Sequence, residues 1–170
     1  DRSRGIFVLL DAVDQLRHKG LKVRMKLVGG WGPFSRKDVV NRIDQLNIGD
    51  EVEFVGRIDR EVLRSLFRTS DLFVYQTIND GSPRVILEAI ATGLPVIASY
   101  HPGIDVIDPT EKFISFTNFG DVDRLVNIII GYHRTAEPWL QRAKFGRNEI
   151  VSRFGVIPVA GKYVDFYSSH

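Results

Sequence analysis

Short apolar runs and segments of helical spacing alternate along the first 135 residues, and few folds satisfy such a pattern. Ile6, Leu9, Leu10, Val13 and Leu16 recur with helical period, and Gly20 then supplies a stop. "VRMKLVGG" reads as a strand running into glycines. Residues 36–46 read as a helix with Val39, Val40, Ile43 and Leu46 on one face, and "EVEFVG" as a second short strand. "DREVLRSLFRTS" is a helix that Asp59 can cap, because a carboxylate accepts from the unpaired N–H groups of a first turn. "DLFVYQ" is almost continuously apolar, as expected of a strand covered on both faces. A helix opening at Ser82–Pro83, the strands "PVIAS" and "KFISF", and helices at about 121–133, 137–152 and 157–168 complete the chain. The expected architecture is a Rossmann-like parallel α/β sheet with helices on both faces.

The chain opens on a helix, whereas folds of this kind usually open on a strand, so a first strand is expected upstream of Asp1. In the doubly wound order 3-2-1-4-5-6 the first strand lies in mid-sheet. Its absence predicts a gap between "VRMKLVG" and "DLFVYQ". The 170 residues are the size of one domain with a real core. They are expected to form a single ligand-binding domain within a longer protein.

Composition narrows the functional classes. A net charge of +2, with Lys and Arg dispersed among acids, gives no nucleic-acid footprint. The absence of cysteine removes disulfides and thiolate sites. No apolar run reaches bilayer length, no signal peptide is legible, and a cytoplasmic location is expected. No histidine–carboxylate grouping has metal spacing, and no nucleophile–base pair is evident. His18, His133 and His170 fall at helix ends or the terminus; His101 falls in a loop after a strand end and reads foremost as a surface-loop residue, with reaching the site as the alternative.

Residues 79–99, "NDGSPRVILEAIATGLPVIAS", carry the chemistry. Ser82 can cap a helix and Pro83 suits its first position. Arg84, Glu88 and Thr92 form a narrow polar stripe on an otherwise apolar helix. That helix starts at the carboxyl end of "DLFVYQ", where open α/β sheets bind ligands and helix N-termini favour anions. From spacing alone, two readings stand: an Arg84–Glu88 surface pair with about 0.2–0.5 kcal/mol of stabilisation, or a carboxylate presented to a ligand.

Asp80-Gly81-Ser82-Pro83, followed by Leu87-Glu88-Ala89-Ile90-Ala91-Thr92-Gly93-Leu94-Pro95-Val96-Ile97-Ala98, resembles the C-terminal domain of the group 1 (family 4) retaining glycosyltransferases, which have the two-domain GT-B architecture. "LVGGWG", "VEFVGRI", "LRSLFRTSDLFVYQ" and the "RFG…YVDFY" tail fall in family order. The resemblance implies a nucleotide diphosphate sugar, UDP- or GDP-linked, as donor substrate, with no separate cofactor. Glu88 would accept from the ribose hydroxyls, and Asp80 would face the transferred sugar. The turn at Gly81–Ser82 and the N–H groups of Arg84 and Val85 would cradle the diphosphate. Arg4 would neutralise the leaving group, and backbone at Arg57 and Ile58 would hold the base. The family usually has Glu where Asp80 stands, and Pro83 removes one N–H from the turn.

By the same resemblance, the acceptor domain would precede this one, with peripheral membrane association possible through it. A sugar-nucleotide epimerase and a non-catalytic nucleotide-sugar-binding or protein-interaction module remain alternatives to a transferase.

Overall fold

The computed structural model describes residues 5–30, 36–81 and 83–168. Helix α1 (Ile6–His18) leads to β1 (Met25–Val28), α2 (Arg36–Leu46), β2 (Val52–Gly56), α3 (Arg60–Arg68) and β3 (Phe73–Tyr75). Then come α4 (Arg84–Ala91), β4 (Val96–Ser99), β5 (Ile114–Thr117), α5 (Val122–Arg134), α6 (Glu137–Phe154) and α7 (Val156–Ser168). Short 3-10 turns at Gly49–Glu51 and Pro102–Ile104 were not evident from periodicity.

All strand pairings are parallel, in two sheets ordered β1-β2 and β3-β4-β5. Among the described residues no ladder joins β1 to β3. The interruption falls between the two strands that the doubly wound order separates by its first strand. The expected α/β architecture, with parallel strands flanked by helices, is present.

Side-chain alternation sorts the core. Phe73, Tyr75, Val96, Ala98 and Ile114 meet Ile86, Ala89 and Ile90 of α4 and Ile150 of α6 on one face. Val74 and Ile97 face the other way, against Ala12 and Leu16 of α1 and Leu125, Val126 and Ile128 of α5. Leu10 and Val13, also on α1, join Val39, Ile43 and Ile48 over the β1-β2 pair. One helix therefore serves both sheets.

Two local expectations are corrected. The ladder in "DLFVYQ" spans only Phe73–Tyr75, and its residues are half-buried rather than fully covered. Two residues past the ladder the Ser99 hydroxyl holds the backbone of Thr77, accepting from its N–H at 2.8 Å and donating to its carbonyl at 2.6 Å. Pro83 is the N-cap of α4 rather than its first helical residue, with ψ 73°, and helical geometry begins at Arg84. The Asp59 cap forms as expected, its carboxylate accepting from the Val62 N–H at 2.9 Å.

The sheet edge that receives the loops follows from one hydrogen bond. The Gly5 N–H donates to the Gln76 carbonyl at 2.9 Å, so α1 begins beside the carboxyl end of β3. A Cβ at Gly5 would lie 2.6 Å from Gln76 Cβ and 3.2 Å from Phe119, and only glycine permits this approach. Helix α1 descends from that edge and β1 returns toward it. The loops after all five strands thus gather at one edge with the start of α1.

Candidate functional site

The segment between β3 and α4 is held from three sides. Ser99 fixes Thr77, and the Thr77 hydroxyl donates to the Asn79 carbonyl at 3.1 Å. The Tyr75 hydroxyl donates to Asp80 Oδ2 at 2.5 Å, tying the half-buried carboxylate back to the last residue of β3. Beneath the segment lies the turn Pro102–Ile104. A Cβ at Gly103 would collide with the Asp80 carbonyl oxygen and lie 3.3 Å from His101 Nδ1. Glycine at 103 is what lets the acidic loop settle onto the loop after β4.

Arg84 and Val85 occupy the first turn of α4, where N–H groups have no partner within the helix and carry the positive end of its dipole. The Arg84 side chain is exposed and Val85 is half-buried. One turn further on, Glu88 is half-buried on the face left open by the core residues Ile86, Ala89 and Ile90. Among the described residues no ion pair links Glu88 to Arg84, and the Glu88 carboxylate takes no hydrogen bond. The surface-pair reading is therefore not realised. A carboxylate displayed at the carboxyl edge without a protein partner can accept two hydroxyls of a vicinal diol.

Gly81 is exposed with open space around it, which allows backbone to approach a ligand closely. Arg57 and Ile58 follow β2 at a separate point of the same edge, Arg57 exposed and Ile58 half-buried. The Arg57 guanidinium lies across Gly30, so closely that a Cβ there would collide with it. This joins the "LVGG" turn after β1 to the "GRI" turn after β2. Arg4, Ser82 and Trp31–Pro33 lie outside the described residues.

His101 is the functional candidate that periodicity placed wrongly. Rather than a surface-loop residue, it is 2% exposed. Its extended backbone, φ −157° and ψ 156°, turns the ring inward beneath the Asp80 loop. Among the described residues neither ring nitrogen has a hydrogen-bond partner. Burial pushes its pKa below the ordinary histidine value, while the nearby Asp80 and Asp105 carboxylates pull in the opposite direction. Position directly after a strand end, before Pro102–Gly103, was the available signal. Next to it, the Tyr100 hydroxyl donates to Asp105 at 3.1 Å, and this bond raises the phenol's pKa.

Asp108 shows the contrasting, structural use of a buried carboxylate. It accepts from the N–H groups of Lys112, Phe113 and Ile114 at 2.8–2.9 Å and fixes the start of β5. Among the described residues no group of three or more His, Cys, Asp or Glu side chains is placed to hold a metal ion.

Residues 1–146 match the family model for glycosyl transferases group 1. A UDP-Gal:alpha-D-GlcNAc-diphosphoundecaprenol alpha-1,3-galactosyltransferase of Escherichia coli is 30% identical over 109 residues, 64% of this chain and 28% of that protein. Sucrose-phosphate synthase from Thermosynechococcus elongatus superposes with a TM-score of 0.87 at 28% identity, over 99% of this chain and 43% of that one. Anabaena Alr3699/HepE, solved in complex with UDP and glucose, gives a TM-score of 0.85 at 24% identity, over 100% of this chain and 46% of that one. The chain thus spans less than half the length of these three proteins, and the fold of the two solved ones covers all or nearly all of it. The parallel α/β architecture, the acid-bearing loop ahead of α4 and the family match over most of the sequence agree: the chain belongs to the group 1 glycosyl transferases.

Proposed function

We propose that this domain holds the donor, a nucleotide diphosphate sugar, for a glycosyltransferase acting on a hydroxyl acceptor with retention of anomeric configuration. The observation that carries the reading is Glu88, a half-buried carboxylate without a partner among the described residues, one turn into a helix whose N-terminus faces the ligand edge. The ribose diol satisfies Glu88, and the diphosphate lies against the N–H groups of Arg84 and Val85 and the Gly81–Ser82 turn. The sugar then reaches Asp80, and the base reaches the backbone of Arg57 and Ile58. The likeness to a protein solved with UDP and glucose is consistent with a nucleotide sugar as the donor.

The reaction breaks the bond between the anomeric carbon and the β-phosphate oxygen. The acceptor oxygen forms the new bond on the same face, and its proton passes to the departing phosphate. Charge grows on that phosphate as the bond breaks, so a helix N-terminus and a cation, Arg4, assist the step. An acceptor-binding domain and an interdomain cleft complete the enzyme. Contact with a membrane would run through that other domain. No helix among the described residues is long and apolar enough to cross a membrane.

The test is titration of UDP, GDP, ADP and their hexose conjugates into wild type and Glu88→Ala, followed by calorimetry. Binding of one diphosphate, weakened at least about tenfold by the substitution, or roughly 1.4 kcal/mol, supports the ribose contact and names the base. Equal affinity of the two proteins for the same nucleotide removes Glu88 from the site. Sugar transfer that depends on added acceptor separates a transferase from an epimerase.

A further inference from the structure

We propose that His101 is a positioning residue for the sugar end of the donor, acting through Asp80 as a competitor for its carboxylate when the imidazole gains a proton. The inference rests on the donor-site reading above and extends it to a residue outside the acid-loop and helix pattern.

Three observations meet at this residue. His101 is buried to 2% exposure, yet neither ring nitrogen is hydrogen-bonded. A buried polar group left without a partner typically costs about 1–3 kcal/mol, and a phenylalanine would fill the same space without that penalty. The ring also lies at the point where Gly103 meets the Asp80 carbonyl, with Nδ1 3.3 Å from the position a Gly103 Cβ would take. Finally, the charged groups that act on the ring are both carboxylates, Asp80 from the loop after β3 and Asp105 from the turn after β4. Each favours the protonated ring, and burial opposes it.

These features make a two-state contact. With His101 neutral, Asp80 accepts from Tyr75 and keeps acceptor capacity for a sugar hydroxyl. An anionic diphosphate would be repelled at a carboxylate, so the group held there is the neutral, hydroxyl-bearing end of the ligand. With His101 protonated, a charged donor presents itself to Asp80 from below. The imidazolium–carboxylate pair turns the carboxylate toward the protein interior and away from the ligand. Asp105 shares the proton's attraction, but its own neighbour is Tyr100, on the outer side of the turn.

The test is the pH dependence of UDP-glucose and GDP-mannose affinity in the full-length protein, for wild type, His101→Gln and Asp80→Asn, with the ring of His101 followed by NMR. Affinity of wild type for the conjugate that binds should fall roughly fivefold from pH 7.5 to 5.5, within the tenfold-per-unit limit for one proton. His101→Gln, neutral and similar in size, should lose the slope between pH 7.5 and 5.5. Asp80→Asn should bind less well at every pH, show no slope, and move the His101 titration midpoint downward. A slope that survives in His101→Gln, or a midpoint unmoved by Asp80→Asn, overturns the proposal while leaving the donor site intact. Absence of binding by every nucleotide sugar and diphosphate overturns the donor-site reading itself, and this inference with it.

Discussion

Gly103→Ala offers a direct measure of how closely the acidic loop depends on the loop beneath it. The backbone of Gly103 is not in the left-handed region, so alanine meets no conformational barrier there. Taken alone, the change would stabilise the fold by about 0.4–1 kcal/mol through the unfolded chain. Contact decides otherwise. The new methyl group would strike the Asp80 carbonyl oxygen and sit 3.2 Å from its carbonyl carbon, and a backbone segment cannot swing aside as a flexible side chain can. Overpacking of this kind costs about 1–3 kcal/mol, leaving a net loss of roughly 0.5–2.5 kcal/mol. At about 2–4 °C per kcal/mol for a domain of this size, the melting temperature should fall by a few degrees. Asp80 must also shift by a sizeable fraction of an ångström to about 1 Å, and a displacement of 1 Å can reduce turnover by about a hundredfold. Urea unfolding and donor titration of Gly103→Ala should be set beside Gly81→Ala, where no atom lies within 4 Å of the added methyl. A Gly103→Ala protein that matches wild type in both stability and donor affinity would refute the packing described for these two loops.

Glu88→Ala should leave urea stability within about 0.5 kcal/mol of wild type, since the carboxylate has no partner among the described residues to lose, while donor affinity falls at least tenfold; a reversed pattern would make Glu88 structural. Asp108→Ala should destabilise by about 2–4 kcal/mol, because three N–H groups, two of them buried, lose one charged acceptor, and chemical denaturation measures it. Gly131→Ala, in α5 with open space around it, should stabilise by up to about 1 kcal/mol through helix propensity. For His101, the folded pKa lies below the unfolded value of about 6.5, so the unfolded chain binds more protons between the two. Stability therefore declines as pH falls from about 6.5 toward the folded value, and His101→Gln should show a shallower acid limb in urea titrations at stepped pH.

The elements were legible where a single period governed the residues. Val39 and Ile43 of α2 are buried as their spacing implied, and Asp59 caps α3 because an N-cap needs only local geometry. β3 was overestimated because its extent is decided by pairing with β4, far along the chain, which covers only Phe73–Tyr75. Glu88 stood out as a carboxylate on an apolar helix, and its lack of a partner is a fact about space that spacing could only leave open. His101 was misread for the same reason. Burial of a loop residue depends on what settles over it, here the segment carrying Asp80, and no local pattern records that.

The sharing of α1 between the two sheets has a consequence for how the domain opens. Leu10 and Val13 belong to the core over β1-β2, whereas Ala12 and Leu16 belong to the core over β3-β4-β5. The buried cluster over β1-β2 is smaller than the clusters on the two faces of β3-β4-β5, so the half bearing Arg57 should open in excursions that leave the larger sheet closed. The amides of β1 and β2 would then trade hydrogen with solvent by local opening. Those in the middle of α1 would be released only when both cores have come apart, making this helix the slowest-exchanging segment of the domain and the rod through which each half senses whether the other is closed.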